Sequence, residues 1–293
     1  TKDQGWKKKR LNSIFFYNCN QVVLTSHFSL KTLSLSRSSF EFNINIMSRL
    51  IPFVFLLCFF TTSYCQSEIY ELRVYKLEFF KPAKVLHDYF QQALIPALNR
   101  QGVKPVGAFE ELGEALPKKI YLLSPYASMQ AYQEVADALE NDKQFKLDAK
   151  PYAEAPQEEI PFNHIESSFI RSTSGFPDLV KPAENSTVFE LRIYESHNED
   201  ALRRKVKMFN DSEFSIFKDV GLHTVFFGAN ISGNQMPCLT YLLAFKDMEE
   251  HKEAWSKFGP HPEWQRIIKL NEYANAMNDI TRIFLKPLAY SQF

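Results

Sequence analysis

The 293 residues are 45% hydrophobic and 15% aromatic, enough to bury sizeable cores, and the length accommodates two domains of ordinary size. A formal charge of zero conceals an asymmetry: residues 1–65 hold eight Lys or Arg against two Asp or Glu, which leaves residues 66–293 with 26 positive against 32 negative, a net −6. So mildly acidic a body has no electrostatic reason to seek nucleic acid, and with Cys238 its only cysteine an internal disulfide, a CxxC pair and a thiolate zinc cluster are excluded there.

Residues 1–46 are rich in Ser, Asn, Lys and Phe without a sustained apolar period. They read as an extension outside the fold, either a disordered arm or translated sequence ahead of a start at Met47. Residues 47–65 have the layout of a signal peptide: Arg49, an apolar run from Leu50 to Phe60, then small or polar residues to Cys65 with cleavage before Gln66. Eleven apolar residues are too few to cross a bilayer as a helix. Acylation of Cys65 is the poorer reading, because Thr62 and Tyr64 replace the Leu and the small residue that a lipoprotein motif needs. The expectation is an exported periplasmic or secreted protein with no stable membrane insertion after cleavage.

The body is a tandem duplication. Tyr70-Glu71-Leu72-Arg73-Val74-Tyr75 returns as Phe189-Glu190-Leu191-Arg192-Ile193-Tyr194 at an offset of 119 residues, and the same offset carries Gly102 onto Gly221. Tyr121-Leu122-Leu123 matches Tyr241-Leu242-Leu243 at an offset of 120, as if one residue were inserted. Repeat one is taken as residues 66–172, the linker as 173–187, where Gly175, Pro177 and Pro182 stand among Ser and Thr, and repeat two as 188–293.

In repeat one, Tyr70 to Tyr75 alternates as a half-buried strand. Pro82 suits the first turn of a helix carrying Leu86, Phe90 and Leu94, which Pro96 should bend or end. Gly102 suits a left-handed cap, and strands follow over Val103–Glu111 and Ile120–Ser124. A helix over Ser128–Leu139 and a strand over His164–Arg171 complete the unit. Repeat two runs the same course. Ser196 with Glu199, and Asp247 with Glu250, read as capping boxes. Strands are expected at His223–Asn230, Leu239–Phe245 and Ile280–Leu285, and a late helix at Trp264–Met277.

The order βαββαβ is ferredoxin-like. Such a unit covers one sheet face with helices and leaves the other bare, so two of them can bury each other. The expected fold is α+β, with two tandem ferredoxin-like βαββαβ units packed sheet to sheet as a pseudo-dimeric α/β barrel. In this arrangement Leu72 and Val74 face the helices, while Glu71, Arg73 and Tyr75, with Glu190, Arg192 and Tyr194, face the interior.

These opening strands resemble the NIPSNAP domain, and repeat two is similar to it further on: Gly221, the strand Tyr241-Leu242-Leu243-Ala244-Phe245, the helix with Trp255, and the Pro262-Glu263-Trp264 turn. Repeat one departs by placing Phe145 where Trp264 stands. The resemblance implies a dimeric α/β barrel, shared with cofactor-independent monooxygenases and with haem-binding relatives. It therefore allows haem, although no cofactor is expected from the residues, and it is compatible with a homodimer. The family's own activity is poorly defined, and the vesicle and mitophagy partners of its mitochondrial members do not carry over to a chain with an export pattern.

Two groups of residues could carry chemistry. His223 and His251 are candidate acids or bases, and with His261 they could converge near Trp255 and Trp264. They could equally be scattered histidines beside core tryptophans, since none shows a metal-ligand spacing and no metal is expected. Arg73 and Arg192 could clamp an anionic ligand with Tyr75 and Tyr194, or could pair with Glu71 and Glu190 to fix sheet register. The absence of GxSxG and phosphate-cradling loops removes hydrolase and nucleotide readings. What remains is a small-molecule-binding protein, a cofactor-independent oxygenase or isomerase, or a structural or partner-binding module.

Overall fold

Both repeats open with a strand that is apolar on alternate positions and charged or aromatic on the others, and both of its faces are buried. In the computed structural model, which describes residues 67–114 and 116–293, these are β1 (Ile69–Leu77) and β5 (Val188–Glu195). The expected extension 1–46 and the expected signal segment 47–65 lie outside the described residues.

Repeat one continues with α1 (Lys84–Asp88) and α2 (Ile95–Arg100), joined by a π turn at Tyr89–Leu94, then β2 (Gly107–Glu111), β3 (Lys119–Tyr126), α3 (Met129–Asn141), α4 (Lys143–Asp148), α5 (Lys150–Ala153) and β4 (Phe162–Ser172). Repeat two places α6 (Glu199–Met208) and α7 (Phe214–Val220) around a π turn at Phe209–Glu213, followed by β6 (His223–Ser232), β7 (Cys238–Phe245), α8 (Met248–Phe258), α9 (Pro262–Ile267) and β8 (Asp279–Pro287).

The eight strands form one closed antiparallel barrel in the order β1-β3-β2-β8-β5-β7-β6-β4. Each repeat contributes a four-stranded sheet with its first strand inside. The edges then meet crosswise, β2 against β8 and β4 against β6. Closure leaves no strand edge to template aggregation. The core accordingly has three parts. One cluster, with Tyr70, Leu72, Phe109, Phe189, Leu191 and Phe226, fills the barrel. The other two lie between sheet and helices, one around Tyr75, Leu86 and Phe90, the other around Tyr194, Phe209 and Phe217.

That partition reverses the expected faces. Leu72 and Val74 point into the barrel, whereas Tyr75 and Tyr194 pack with the helices, and Glu190 is hydrogen-bonded by side chains of α8. The physical reason is closure: the middle of a small barrel is filled by side chains, so it takes the apolar set, and Glu190 and Arg192 go where helix side chains can satisfy them.

Strand pairing also corrects the repeat alignment. Leu72 pairs with Leu123 and Leu191 with Leu242, so the offset of 119 persists and no residue is inserted. Tyr121 therefore lies inside the barrel and Tyr241 under the helices, as a one-residue slip in a strand must dictate.

Local departures have local causes. Pro96 neither ends nor breaks its helix, because the preceding π turn resets the backbone and α2 restarts with proline in its first turn. The cap of α6 is Asn198, whose Oδ1 accepts from the Ala201 amide at 2.8 Å, rather than Ser196, which donates to the Ala276 carbonyl. Asp247 does cap α8 through the Glu249 and Glu250 amides. The expected helix from Trp264 to Met277 reduces to α9 and a 3₁₀ turn at Asn271–Tyr273. Gly102 and Gly221 close their helices in the left-handed region, at φ 84° and 83°. No described helix is long and apolar enough to cross a membrane.

Candidate functional site

In repeat two the helix-covered face of the sheet carries a buried polar cluster. Glu190, fully buried on β5, accepts from Arg192 Nη1 at 2.9 Å, from Trp255 Nε1 at 2.8 Å and engages His251 Nε2 at 3.0 Å. Arg192 sits two residues along the same strand face, and its guanidinium lies 4.3 Å from the Trp255 ring centroid and 5.3 Å from that of Tyr194. Tyr241, brought beside Arg192 by the β5–β7 register, donates to the Tyr194 hydroxyl at 2.8 Å.

A second ion pair lies above them. Lys205 of α6 and Glu213 of the π turn pair with their side chains only 6% and 2% exposed. The Lys205 ammonium is 4.8 Å from the Phe209 ring, 5.6 Å from Tyr194 and 5.7 Å from Trp264. The π turn aims Glu213 inward, a local geometry often associated with sites.

The electrostatics follow from burial and partners. Burial raises the phenols of Tyr194 and Tyr241, which stay neutral hydrogen-bonding groups. Burial alone would lower the Arg192 pKa, but Tyr241, Tyr194 and Glu190 outweigh it and the net shift is upward. Glu213 is raised by burial despite the opposing pull of Lys205 and Arg192. Two nitrogens in it are buried without a partner, Arg192 Nε and His251 Nδ1.

Arg192 also lines a groove of about 420 Å³ with Arg282, its cross-strand partner on β8, and with Met277, Asn278, Asp279 and Ile280. Two arginines at directly paired positions of neighbouring strands repel, and an anion between them would relieve that.

The candidates of repeat two otherwise fall in three places. Trp255 and Trp264 join the cluster, the latter 4.5 Å from Phe258. His261 caps the start of α9, 3.6 Å from Asp219. His223 is exposed at the start of β6 and lines a different cavity, so it does not join His251. In repeat one, Arg73 donates to Glu71 at 2.7 Å, Ser167 adds a second donor at 3.0 Å, and Tyr75 packs on Phe90 and Phe162. That is a closed ion pair in an aromatic layer.

Lys205, Glu213, Tyr241 and Arg282 were not singled out by the sequence. A signal existed for the first two: both fall on the apolar stripe defined by Leu202, Phe209 and Ile216, where a charge is out of place. At the offset of 119 their counterparts in repeat one are Leu86 and Leu94.

Haem does not fit this layer. It is filled by the rings of Phe209, Phe217, Phe227 and Tyr241, which leave no space for a porphyrin plane beside His251. Among the described residues no group of three or more His, Cys, Asp and Glu could hold a metal ion.

A second enclosed space lies in the open end of the barrel, about 220 Å³ around the Lys76–Glu166 ion pair, Lys119, Thr240 and Cys238. Burial, reinforced by Glu195, pushes the Cys238 thiol up to about 12, so it is not a poised nucleophile.

No curated protein matches the chain in sequence. Among solved structures it is similar to a "putative monooxygenase" of Lactobacillus acidophilus, at 11% identity over 75% of this chain and 94% of that one, with a TM-score of 0.50. A "putative monooxygenase" of Fusobacterium nucleatum gives 13% identity over 76% and 93%, with a TM-score of 0.48. An uncharacterized NIPSNAP-like domain protein of Burkholderia xenovorans gives 18% over 36% and 90%, with a TM-score of 0.33. At such identities the likeness concerns the fold. The NIPSNAP family model matches residues 70–173 and again 189–292. Two copies of that domain account for most of the sequence, and the chain belongs to the NIPSNAP family.

Proposed function

We propose that this protein binds a small organic anion in the Arg192–Arg282 groove of repeat two. The observation that carries the reading is the asymmetry between the repeats. The same scaffold folds with Leu86 and Leu94 where repeat two buries Lys205 and Glu213, and with Ala136 where it has Trp255. Burying charge is costly, and the fold does not require it, so the cost falls where a site would use it. Glu190 engages the Arg192 guanidinium through Nη1, which leaves Nη2 as a donor for a carboxylate entering the groove. Met277 and Ile280 line the same groove and give the ligand's hydrocarbon part apolar contacts.

Trp255 and Trp264 are the only tryptophans beyond residue 66, and both sit in the cluster, so indole fluorescence reports on the site. Benzoate should quench it saturably and benzamidine should not. Arg282→Leu, on the exposed rim, should weaken benzoate binding about tenfold, as loss of one charge-assisted contact implies. Quenching that ignores both Arg282→Leu and Arg192→Leu would refute the reading.

An oxygenase or isomerase ranks behind it. Its best base would be His251, but the nitrogen not engaged by Glu190 is buried and His251 lines none of the cavities described above. Export is part of the proposal and rests on the pattern of residues 47–65. Mass spectrometry of the mature N-terminus tests it: a chain beginning near Gln66 supports export, and one retaining Met47 opposes it.

A further inference from the structure

The linker between the repeats crosses the start of β6 and the end of β7, and three of its backbone amides pin it there. Leu179 N donates to Glu68 Oε2 at 2.8 Å, Val180 N to the Val225 carbonyl at 2.8 Å, and Thr187 N to the Phe245 carbonyl at 3.0 Å. Beneath it lies a cavity of about 510 Å³, within the usual size of small-molecule sites. It shares no lining residue with the Arg192 groove.

Its walls and its rim have opposite character. Phe214, Phe217, Leu222 and Val225 form the floor, and Phe176 and Val180 of the linker form the cover. Val180 lines the cavity and is 52% exposed, so its apolar surface is accessible to a ligand. Three exposed lysines stand around this apolar interior, Lys181, Lys218 and Lys246. One carboxylate lines the cavity, Glu250, whose Oε2 already accepts from the Lys246 amide at 2.5 Å, and Asp247 stands 4.0 Å from the Lys246 ammonium, so Lys181 and Lys218 carry most of the field at the rim.

We infer that this cavity is a second binding site, for an amphipathic monoanion: an unbranched carboxylate whose chain lies on the phenylalanine floor and whose head group stays at the lysine rim. Mobile ammonium groups suit that head group, because it keeps its water while gaining the field of three cations. The cover is the inter-repeat linker itself, so repeat one cannot form an equivalent site.

The test uses the full chain and displacement of the fluorescent amphiphile anilinonaphthalene sulfonate by decanoate, decanol and decylamine. Decanoate should displace the probe at least tenfold more effectively than decylamine. The double variant K181E/K218E, exposed at both positions, should weaken decanoate at least fivefold and leave decanol unchanged. Val180→Ser should weaken decanoate and decanol alike. Arg282→Leu, an exposed position on the other groove, should leave decanoate binding intact, which separates this site from the proposed anion groove. Equal displacement by decanoate and decylamine, loss of decanoate binding in Arg282→Leu, or indifference to K181E/K218E would overturn the inference.

Discussion

The Lys205–Glu213 pair offers the sharpest test of how repeat two is built. Both charges were stripped of water on folding, with side-chain exposures of 6% and 2%, and each now depends on the other. Lys205→Leu leaves a buried carboxylate with only the distant pull of Arg192. Removing one partner of a buried pair costs about 3–5 kcal/mol, a large share of the roughly 5–15 kcal/mol that holds a domain together. Restoring the repeat-one arrangement with K205L/E213L removes both charges at once, and Leu86 and Leu94 prove that the scaffold accepts such residues fully buried. That double variant should lie within about 1 kcal/mol of the parent or above it. Urea unfolding of the four proteins gives the coupling directly. The pH dependence has a fixed sign. Glu213 has a folded pKa raised above its unfolded value, so the group favours the folded state at low pH and that contribution is lost as pH rises toward the raised value. Lys205→Leu raises it further, so its deficit should shrink as pH falls, and Glu213→Leu should abolish that slope. If Lys205→Leu and the double variant are equally destabilised, the pair is not coupled and the argument from repeat asymmetry fails.

Two further outcomes follow from other parts of the barrel. Gly228 lies where β6 meets β4, and a Cβ there would stand 2.3 Å from the Arg171 carbonyl oxygen and 2.6 Å from the Ile170 side chain. Gly228→Ala should therefore cost about 1–3 kcal/mol by urea unfolding, and a neutral result would contradict the closeness of this seam. Cys238, its thiol pushed up to about 12, should react with a disulfide reagent far more slowly in the native protein than in urea at pH 8, at a rate still climbing at pH 10. Rapid native reaction at pH 7 would mean that the barrel end is open and the thiol solvated.

Much of this molecule was legible in its residues. The doubled Glu-Leu-Arg-aliphatic-Tyr strand announces two copies of one unit, and Gly102, Gly221 and Asp247 mark helix ends because only local backbone chemistry is at stake there. Alternation divides β1 and β5 into an apolar set and a polar-aromatic set with equal clarity. It cannot say which set faces inward when both sides of a strand are covered; that depends on whether the sheets close, a matter settled by edges far apart in the chain. Closure gives the inside to Leu72 and Leu191 and hands Arg192 to the helices. The same holds for the site. Arg192, Tyr194, His251 and Trp255 stand out by type, yet only packing shows that they share Glu190 or its neighbours, that Arg282 lies across the strand, and that His223 belongs elsewhere. Residue type and spacing fix what each short segment can become, whereas the meeting of charges depends on long-range contacts that no local pattern encodes.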